Sequence, residues 1–163
     1  MSVRRTIVEV DEGRLKAASQ VVMRALGLTS YATGAIEWIE TAARAPGPES
    51  RALASARGDA LDGVIVFGAF AGAPGAGRIH LVVVDEASRR TGVGRSLAEA
   101  AIERMRDERA RFVLAELPDD ARALPAASAF LAAMEFREES RVENFYRDGV
   151  ALSFMRLDLE KNS

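Results

Sequence analysis

The stretch Ile79 to Glu108, IHLVVVDEASRRTGVGRSLAEAAIERMRDE, constrains the fold more than any other part of the chain. IHLVVVD is an apolar, β-branched run with the character of a buried strand, and GVGRSLAEAAIERMRDE carries apolar residues at helical spacing. Between them, Asp85 to Ser96 places two glycines and three arginines at the hand-over from strand to helix. A helix start presents backbone N–H groups with no intrahelical partner and the positive end of the helix dipole, so it accepts anions readily. Gly92 and Gly94 remove Cβ atoms, so an anion can approach the amides of Gly92, Val93, Gly94 and Arg95. Arg89, Arg90 and Arg95 can add charge-assisted bonds. A pyrophosphate fits this description best.

The rest of the chain supplies the partners such a unit needs. RTIVEV (Arg5 to Val10) mixes β-branched residues with alternating charge, the pattern of a strand with one wet face. DEGRLKAASQVVMRAL sets Leu15, Ala18, Val22 and Leu26 at three- and four-residue steps and predicts a helix; SYATGAIEWIETAAR does the same with Ile36, Ile39 and Ala43. APGPES (Ala45 to Ser50) breaks helix without marking a domain boundary. RALASARGD and GVIVFGAF are expected to form a hairpin through the turn RGDALDG, with AGAPGAGR as the loop that closes the second strand. FVLAEL is a further strand, PAASAFLAAMEF a helix rich in small residues, and RVENFYRDGVALSFMRLDL two strands about RDG. This order implies a mixed sheet of the α+β or α/β kind.

With 163 residues, 48% of them hydrophobic, the chain can bury one substantial core, and residues 1–163 read as a single domain. A formal net charge of -2 argues against a general nucleic-acid binder or a polybasic membrane anchor. The absence of cysteine excludes disulfides, thiolate metal sites and a cysteine acyl-enzyme, and no metal site is expected. MSVRRTIVEVDEG has no apolar segment of the secretory kind, and VIVFGAFAGAPGAG is too short and broken to span a bilayer, so the cytoplasm is the expected location.

Among phosphate-binding loops, a Rossmann fingerprint wants a third glycine where Leu97 stands. A Walker loop needs a Gly-Lys pair, and the two lysines, Lys16 and Lys161, lie elsewhere. What remains is Arg89-x-x-Gly92-x-Gly94 between a β-rich run and an amphipathic helix. In this the sequence resembles the GNAT superfamily of acetyl-CoA-dependent N-acetyltransferases, whose coenzyme motif is Q/R-x-x-G-x-G/A. AFLAAMEF (Ala129 to Phe136) looks like the family's later A-x-x-F-Y-x-x-x-G-F helix end, and NFYRDGVALSFMRLDL like its closing hairpin.

The resemblance implies a mixed, mostly antiparallel sheet of about six or seven strands with about four helices, splayed between the fourth and fifth strands. It implies acetyl-CoA as cosubstrate, an amine as acceptor, and a ternary complex. Val82, Val83 and Val84 would offer backbone groups to the pantetheine arm. Arg89, Arg90, Thr91, Gly92, Val93, Gly94, Arg95 and Ser96 would cradle the pyrophosphate. Dimers are common among proteins of this kind, so a homodimer is part of the expectation.

Two residues depart from the family pattern. The tyrosine that commonly protonates the leaving thiolate falls at Leu131, and the usual glycine falls at Glu135. Three readings stay open: water supplies the proton, another hydroxyl such as Tyr146 or Ser128 supplies it, or the chain binds CoA without turnover. Glu116, on the strand beside the thioester, is the candidate base, and Tyr146 the candidate acid; a solvated strand end and a hairpin packing residue are the plainer alternatives. His80 is either a group titrating near neutrality or a strand histidine with a satisfied bond. Tyr31 and Trp38 either shape the acceptor pocket or pack in the core, and Asp119 and Asp120 either attract a cationic amine or simply form a turn.

Overall fold

Alternation along the strands sorts the side chains into two cores, one on each face of a central sheet. In the computed structural model, which describes residues 4–159, each core is covered by two helices. The single-domain reading of 1–163 therefore extends past the described residues at both ends, and Lys161 lies outside them. The elements run β1 (Arg5–Glu9), α1 (Glu12–Leu26), α2 (Ala32–Arg44), β2 (Arg51–Arg57), β3 (Ala60–Ala69), β4 (Ala76–Val84), α3 (Val93–Asp107), β5 (Phe112–Pro118), α4 (Ala127–Ala133), β6 (Arg137–Arg147) and β7 (Val150–Asp158). They build one seven-stranded sheet in the order β1-β2-β3-β4-β5-β7-β6. Every pairing is antiparallel except β4 with β5, whose parallel run is made possible by the α3 crossover. This is the mixed architecture the sequence led us to expect.

From Gly63 to Ala69 the central strand β3 reads as a continuous apolar run because both its faces are buried. Val64 and Val66 point into the core under α1 and α2, whereas Ile65 and Phe67 point into the core under α3 and α4. On β2 the first of these cores is met only by Ala52, Ala54 and Ala56, which lets the helices lie close to the sheet. At the start of α1, the Asp11 side chain accepts from the Arg14 amide.

Some boundaries differ from the sequence expectation. The glycine-rich run AGAPGAGR predicts a loop throughout, yet Ala76 to Arg78 belong to β4. A Cβ on Gly77 would sit 2.7 Å from the Met105 sulfur, so the bare backbone is what lets this strand start pack under α3. The last helix is shorter than the expected Pro125–Phe136 and ends where Glu135 adopts φ +70° while the Phe136 amide bonds to the Leu131 carbonyl. Glu135 thus holds a left-handed cap conformation that glycine adopts more cheaply, by roughly 1 kcal/mol. β6 starts at Arg137 instead of Arg141.

The feature that makes a site is where β4 and β5 part. Their ladder runs only from Ala76–Phe112 to Ile79–Ala115, while β5 stays paired with β7 as far as Pro118. On the other side of β4 the register with β3 jumps from Phe67–Ile79 to Val66–Leu81, leaving His80 as an extra residue. A bulge of this kind bends its strand and increases its twist. It also resets the alternation: Ile79, Val82 and Val84 face the α3/α4 core, and Leu81 and Val83 face the α1/α2 core. The strands are therefore joined below the bulge and open above it.

Candidate active site

Past the bulge, one edge of His80–Val84 no longer meets β5, so its backbone groups on that side are outside the parallel ladder. The opening continues into a cleft of about 650 Å³ bounded by β4, β5, the α1–α2 connection, α2 and the end of β6. Residues of both sheet faces line it: Ile79, Val82 and Leu117 from the α3/α4 side, Trp38 and Leu81 from the α1/α2 side. The cleft thus reaches residues of both faces where β4 and β5 part.

Its polar wall is built on the α2 side. Val113, Ala115 and Leu117 occupy the α3/α4 core, so alternation turns Glu116 the other way, where its Oε1 lies 2.6 Å from Arg78 Nη2. The Arg78 guanidinium also stands over the rings of Trp38, at 5.6 Å, and Phe70, at 5.2 Å. Tyr146 reaches the same cleft because the β6–β7 register skips from Val142–Leu152 to Arg147–Val150, so four residues of β6 bulge opposite one of β7. Its ring meets Tyr31 edge-on at 5.8 Å. Burial, the charge of Glu116 and the neighbouring Tyr31 push the Tyr146 hydroxyl up to about 12, so it remains a hydrogen-bond donor across the physiological range.

At the cleft mouth Asp120 is buried and committed. Its Oδ2 accepts from the Tyr31 hydroxyl and from Arg147, each at 2.8 Å, and its Oδ1 from the Ala123 amide. The bonds from Tyr31, Arg147 and Ala123 hold its carboxyl below the usual carboxylate range. Asp119 pairs with Arg141 at 2.8 Å. The reading of these two acids as a lure for a cationic amine is therefore corrected: Asp120 ties three elements together, and Asp119 has an arginine partner already.

His80 resolves toward the structural reading. Its Nε2 bonds to the Glu49 carbonyl oxygen at 3.1 Å, which as an acceptor requires the proton on Nε2, and its ring stacks on Trp38 at 3.9 Å. Burial, set against the Glu49 bond and reinforced by the Arg78 charge, holds the imidazole down at about 4. His80 is neutral at pH 7, whereas in the unfolded chain it titrates near 6.5. Between those values the unfolded state binds a proton that the folded state does not, so stability falls as the pH drops through that window. Because this is the only histidine, a His80→Gln variant is expected to flatten the decline in Tm between pH 6.5 and 4.5; thermal melts of both proteins check it.

On the opposite side of the opening lies the loop between β4 and α3. Gly92 caps the helix at φ +84°, a conformation that disfavours other residues, and a Cβ there would meet nothing within 4 Å. The first bond of the helix runs from the Ser96 amide to the Gly92 carbonyl, 3.0 Å, so the amides of Val93, Gly94 and Arg95 precede the ladder. Gly94 has a packing role as well: its missing Cβ would lie 3.2 Å from the Phe130 ring, so the bare backbone admits α4. Arg89 folds back to the Val84 carbonyl at 3.3 Å, and Arg95 reaches the Ala133 carbonyl at 3.2 Å. Open space at Gly92, ladder-free amides and neighbouring guanidinium groups together fit a pyrophosphate.

Among the expected site residues, Glu116, Tyr146, Tyr31, Trp38, His80 and Val82 share the cleft, and the Arg89–Ser96 loop lies beyond the parted strands. Leu131 is buried in the α3/α4 core, and Ser128 lies on the exposed side of α4. Sequence reasoning passed over Arg78, the partner of Glu116; the signal available was a cation two residues before the histidine of the same strand. Among the described residues no group of three or more His, Asp or Glu is arranged to hold a metal ion, and no helix is long and apolar enough to cross a membrane.

Residues 25–130 match the acetyltransferase (GNAT) family. Similar solved structures include a protein of Desulfovibrio desulfuricans assigned to the GNAT family of acetyltransferases, with 21% identity over 95% of this chain and 99% of that one and a TM-score of 0.83. Another is the ribosomal-protein-S18-alanine N-acetyltransferase of Escherichia coli, with 16% identity, 98% and 97% coverage and a TM-score of 0.77. A third is yncA from Salmonella typhimurium, determined with its cofactor acetyl-CoA, with 18% identity, 98% and 96% coverage and a TM-score of 0.74. At these identities the likeness is one of fold. No curated protein matches the chain in sequence.

Proposed function

The chain belongs to the GNAT family of acetyltransferases, and from that premise we propose that it moves the acetyl group of acetyl-CoA onto a primary amine, of a small molecule or a protein, by direct attack in a ternary complex. The observation that carries this reading is the parting of β4 and β5 after Ile79–Ala115, with Glu116 and Tyr146 lining the cleft there and β4 running on into the Gly92 helix start. Two substrates approaching from opposite faces meet in the opening, so no covalent acetyl-enzyme is needed, and the chain has no cysteine to carry one.

Val82, Val83 and Val84 would pair with the pantetheine arm, and Arg89 through Ser96 would hold the pyrophosphate. When bound, acetyl-CoA supplies the activated acetyl thioester. The acceptor enters as an ammonium ion and must lose a proton before its nitrogen can attack. Glu116 is the carboxylate in the cleft that can take it, directly or through a water, while Arg78 fixes its orientation. Tyr146 is the hydroxyl in the same cleft that can donate to the departing sulfur. Against a thiol of ordinary acidity, about 8.5, a hydroxyl near 12 is a poor acid. Part of that elevation comes from the Glu116 charge, so a proton on Glu116 makes Tyr146 more acidic at the moment when the thiolate forms. The cleft volume lies in the small-ligand range, and Tyr31, Trp38 and Tyr146 suit an acceptor with an apolar or aromatic body. Glu116 is ion-paired to Arg78 and Asp120 to Arg147, an arrangement that favours a singly charged amine over a polycation.

The test is a panel of primary amines incubated with purified protein and acetyl-CoA, followed by thiol release. The expected result is free CoA with at least one amine, with initial-rate lines that intersect as a ternary complex requires. Leu131, apolar at the position where the family carries a tyrosine, is the observation behind a second reading, a CoA- or acyl-CoA-binding regulatory module. Tight CoA binding with no thiol release across the panel would favour it.

A further inference from the structure

β3 carries an acid where its neighbours are all apolar. Asp62 is 4% exposed, and its Oδ1 is buried with no hydrogen-bond partner among the described residues. A buried anion is a poor device for stability alone, which directs attention to what it holds. Its Oδ2 accepts from Arg5 Nε at 2.7 Å and from the Ser88 hydroxyl at 3.3 Å, and its main-chain carbonyl accepts from the Asp85 amide at 2.9 Å. Asp85 and Ser88 stand at the start of the loop that ends in Gly92. The Ser88 carbonyl in turn accepts from the Thr91 hydroxyl, one residue before Gly92. The next residue on β3, Gly63, completes the seat. A Cβ there would lie 2.7 Å from Val93 Cγ1 and 3.0 Å from Leu97 Cδ1, so the first turn of α3 rests on bare backbone. Burial pushes the Asp62 carboxyl up, but the Arg5 guanidinium, with the Ser88 hydroxyl, outweighs it and holds it below the usual carboxylate range.

We infer that Asp62 and Gly63 are the positioning element of the pyrophosphate cradle: Asp62 fixes the loop through Ser88 and Asp85, and Gly63 fixes the height of the α3 N-terminus above the sheet. Neither touches the coenzyme, and the inference rests on the reading of the loop as a coenzyme site. It makes a claim about which part of the coenzyme feels the change. Loss of the Asp62–Ser88 tie disturbs the contacts to the pyrophosphate and leaves the pantetheine channel between β4 and β5 as it was.

Two variants test this, Asp62→Asn and Ser88→Ala, which removes one hydroxyl and leaves β3 intact. Calorimetric affinity is measured for CoA and for S-acetylpantetheine, which has no pyrophosphate. Ser88→Ala is expected to weaken CoA about tenfold, the scale of one hydrogen bond to a charged group, with S-acetylpantetheine unchanged. Asp62→Asn loses the charge that pairs with Arg5 but keeps an oxygen that can accept from Ser88, so it should move CoA in the same direction by a smaller factor. Unchanged CoA affinity in both variants, or equal losses for the two ligands, would overturn the inference. A wild-type protein that binds neither ligand would instead overturn the functional reading, and this inference with it.

Discussion

Gly92→Asp removes coenzyme binding: the expected result is at least about a hundredfold rise in the Kd for CoA, from the loss of one or two charge-assisted contacts to phosphate. Two effects add. Gly92 holds φ +84°, where any side chain carries a conformational cost, although Asp tolerates that region better than most residues. The greater effect is electrostatic, because the new carboxylate would stand in the open space in front of the Val93, Gly94 and Arg95 amides, where the phosphate oxygens belong. Gly92→Asn separates the two, since it has the same shape and no charge, and should lose much less affinity. The fold should persist in both, because a Cβ at this position meets nothing within 4 Å. Calorimetric titration with CoA reads the difference. If Gly92→Asp binds CoA as the wild type does, the cradle lies elsewhere.

Tyr146→Phe is the second large effect, and it falls on turnover. Removing a positioned proton donor costs on the order of a hundredfold in kcat, whereas the Kd for acetyl-CoA should stay within about twofold. Among the described residues the hydroxyl bonds to none: the ring packs on Tyr31 and Phe145, and phenylalanine keeps those edge-on contacts. Steady-state kinetics with the best amine of the panel, beside calorimetric affinity, checks the split. Equal kcat for the two proteins would assign the proton to water or to another hydroxyl.

Much of this arrangement is legible in the sequence because it depends on local rules. The cradle can be read from Arg89-x-x-Gly92-x-Gly94 at a strand-helix junction, and most of β3 from the apolar run GVIVFGA that a doubly covered strand needs. The bulge at His80 is not legible, because in IHLVVV an apolar residue suits either face and a one-residue phase change leaves no mark. Tyr146 likewise enters the cleft through an irregular register, with four β6 residues opposite one of β7, which no hairpin turn signal announces. By sequence Asp62 falls within the turn RGDALDG, although an acid flanked by Leu61 and GVIVF is a sign of a strand residue with a buried partner. That partner, Arg5, is 57 positions away, and side-chain pairing at such range leaves no pattern in the sequence. Gly94 shows the converse: the motif letter is present, but its bare backbone also makes room for Phe130.

The central claim is that the parted strands β4 and β5 admit the coenzyme from the α3 face while the acceptor wall stands on the other. A structure of the protein crystallised with acetyl-CoA tests it directly. The account predicts pyrophosphate density against the amides of Val93, Gly94 and Arg95 and pantetheine density running between His80–Val84 and Glu116–Pro118, with the acetyl end toward Glu116 and Tyr146. Coenzyme density outside that opening, with the Gly92 loop untouched, would contradict it.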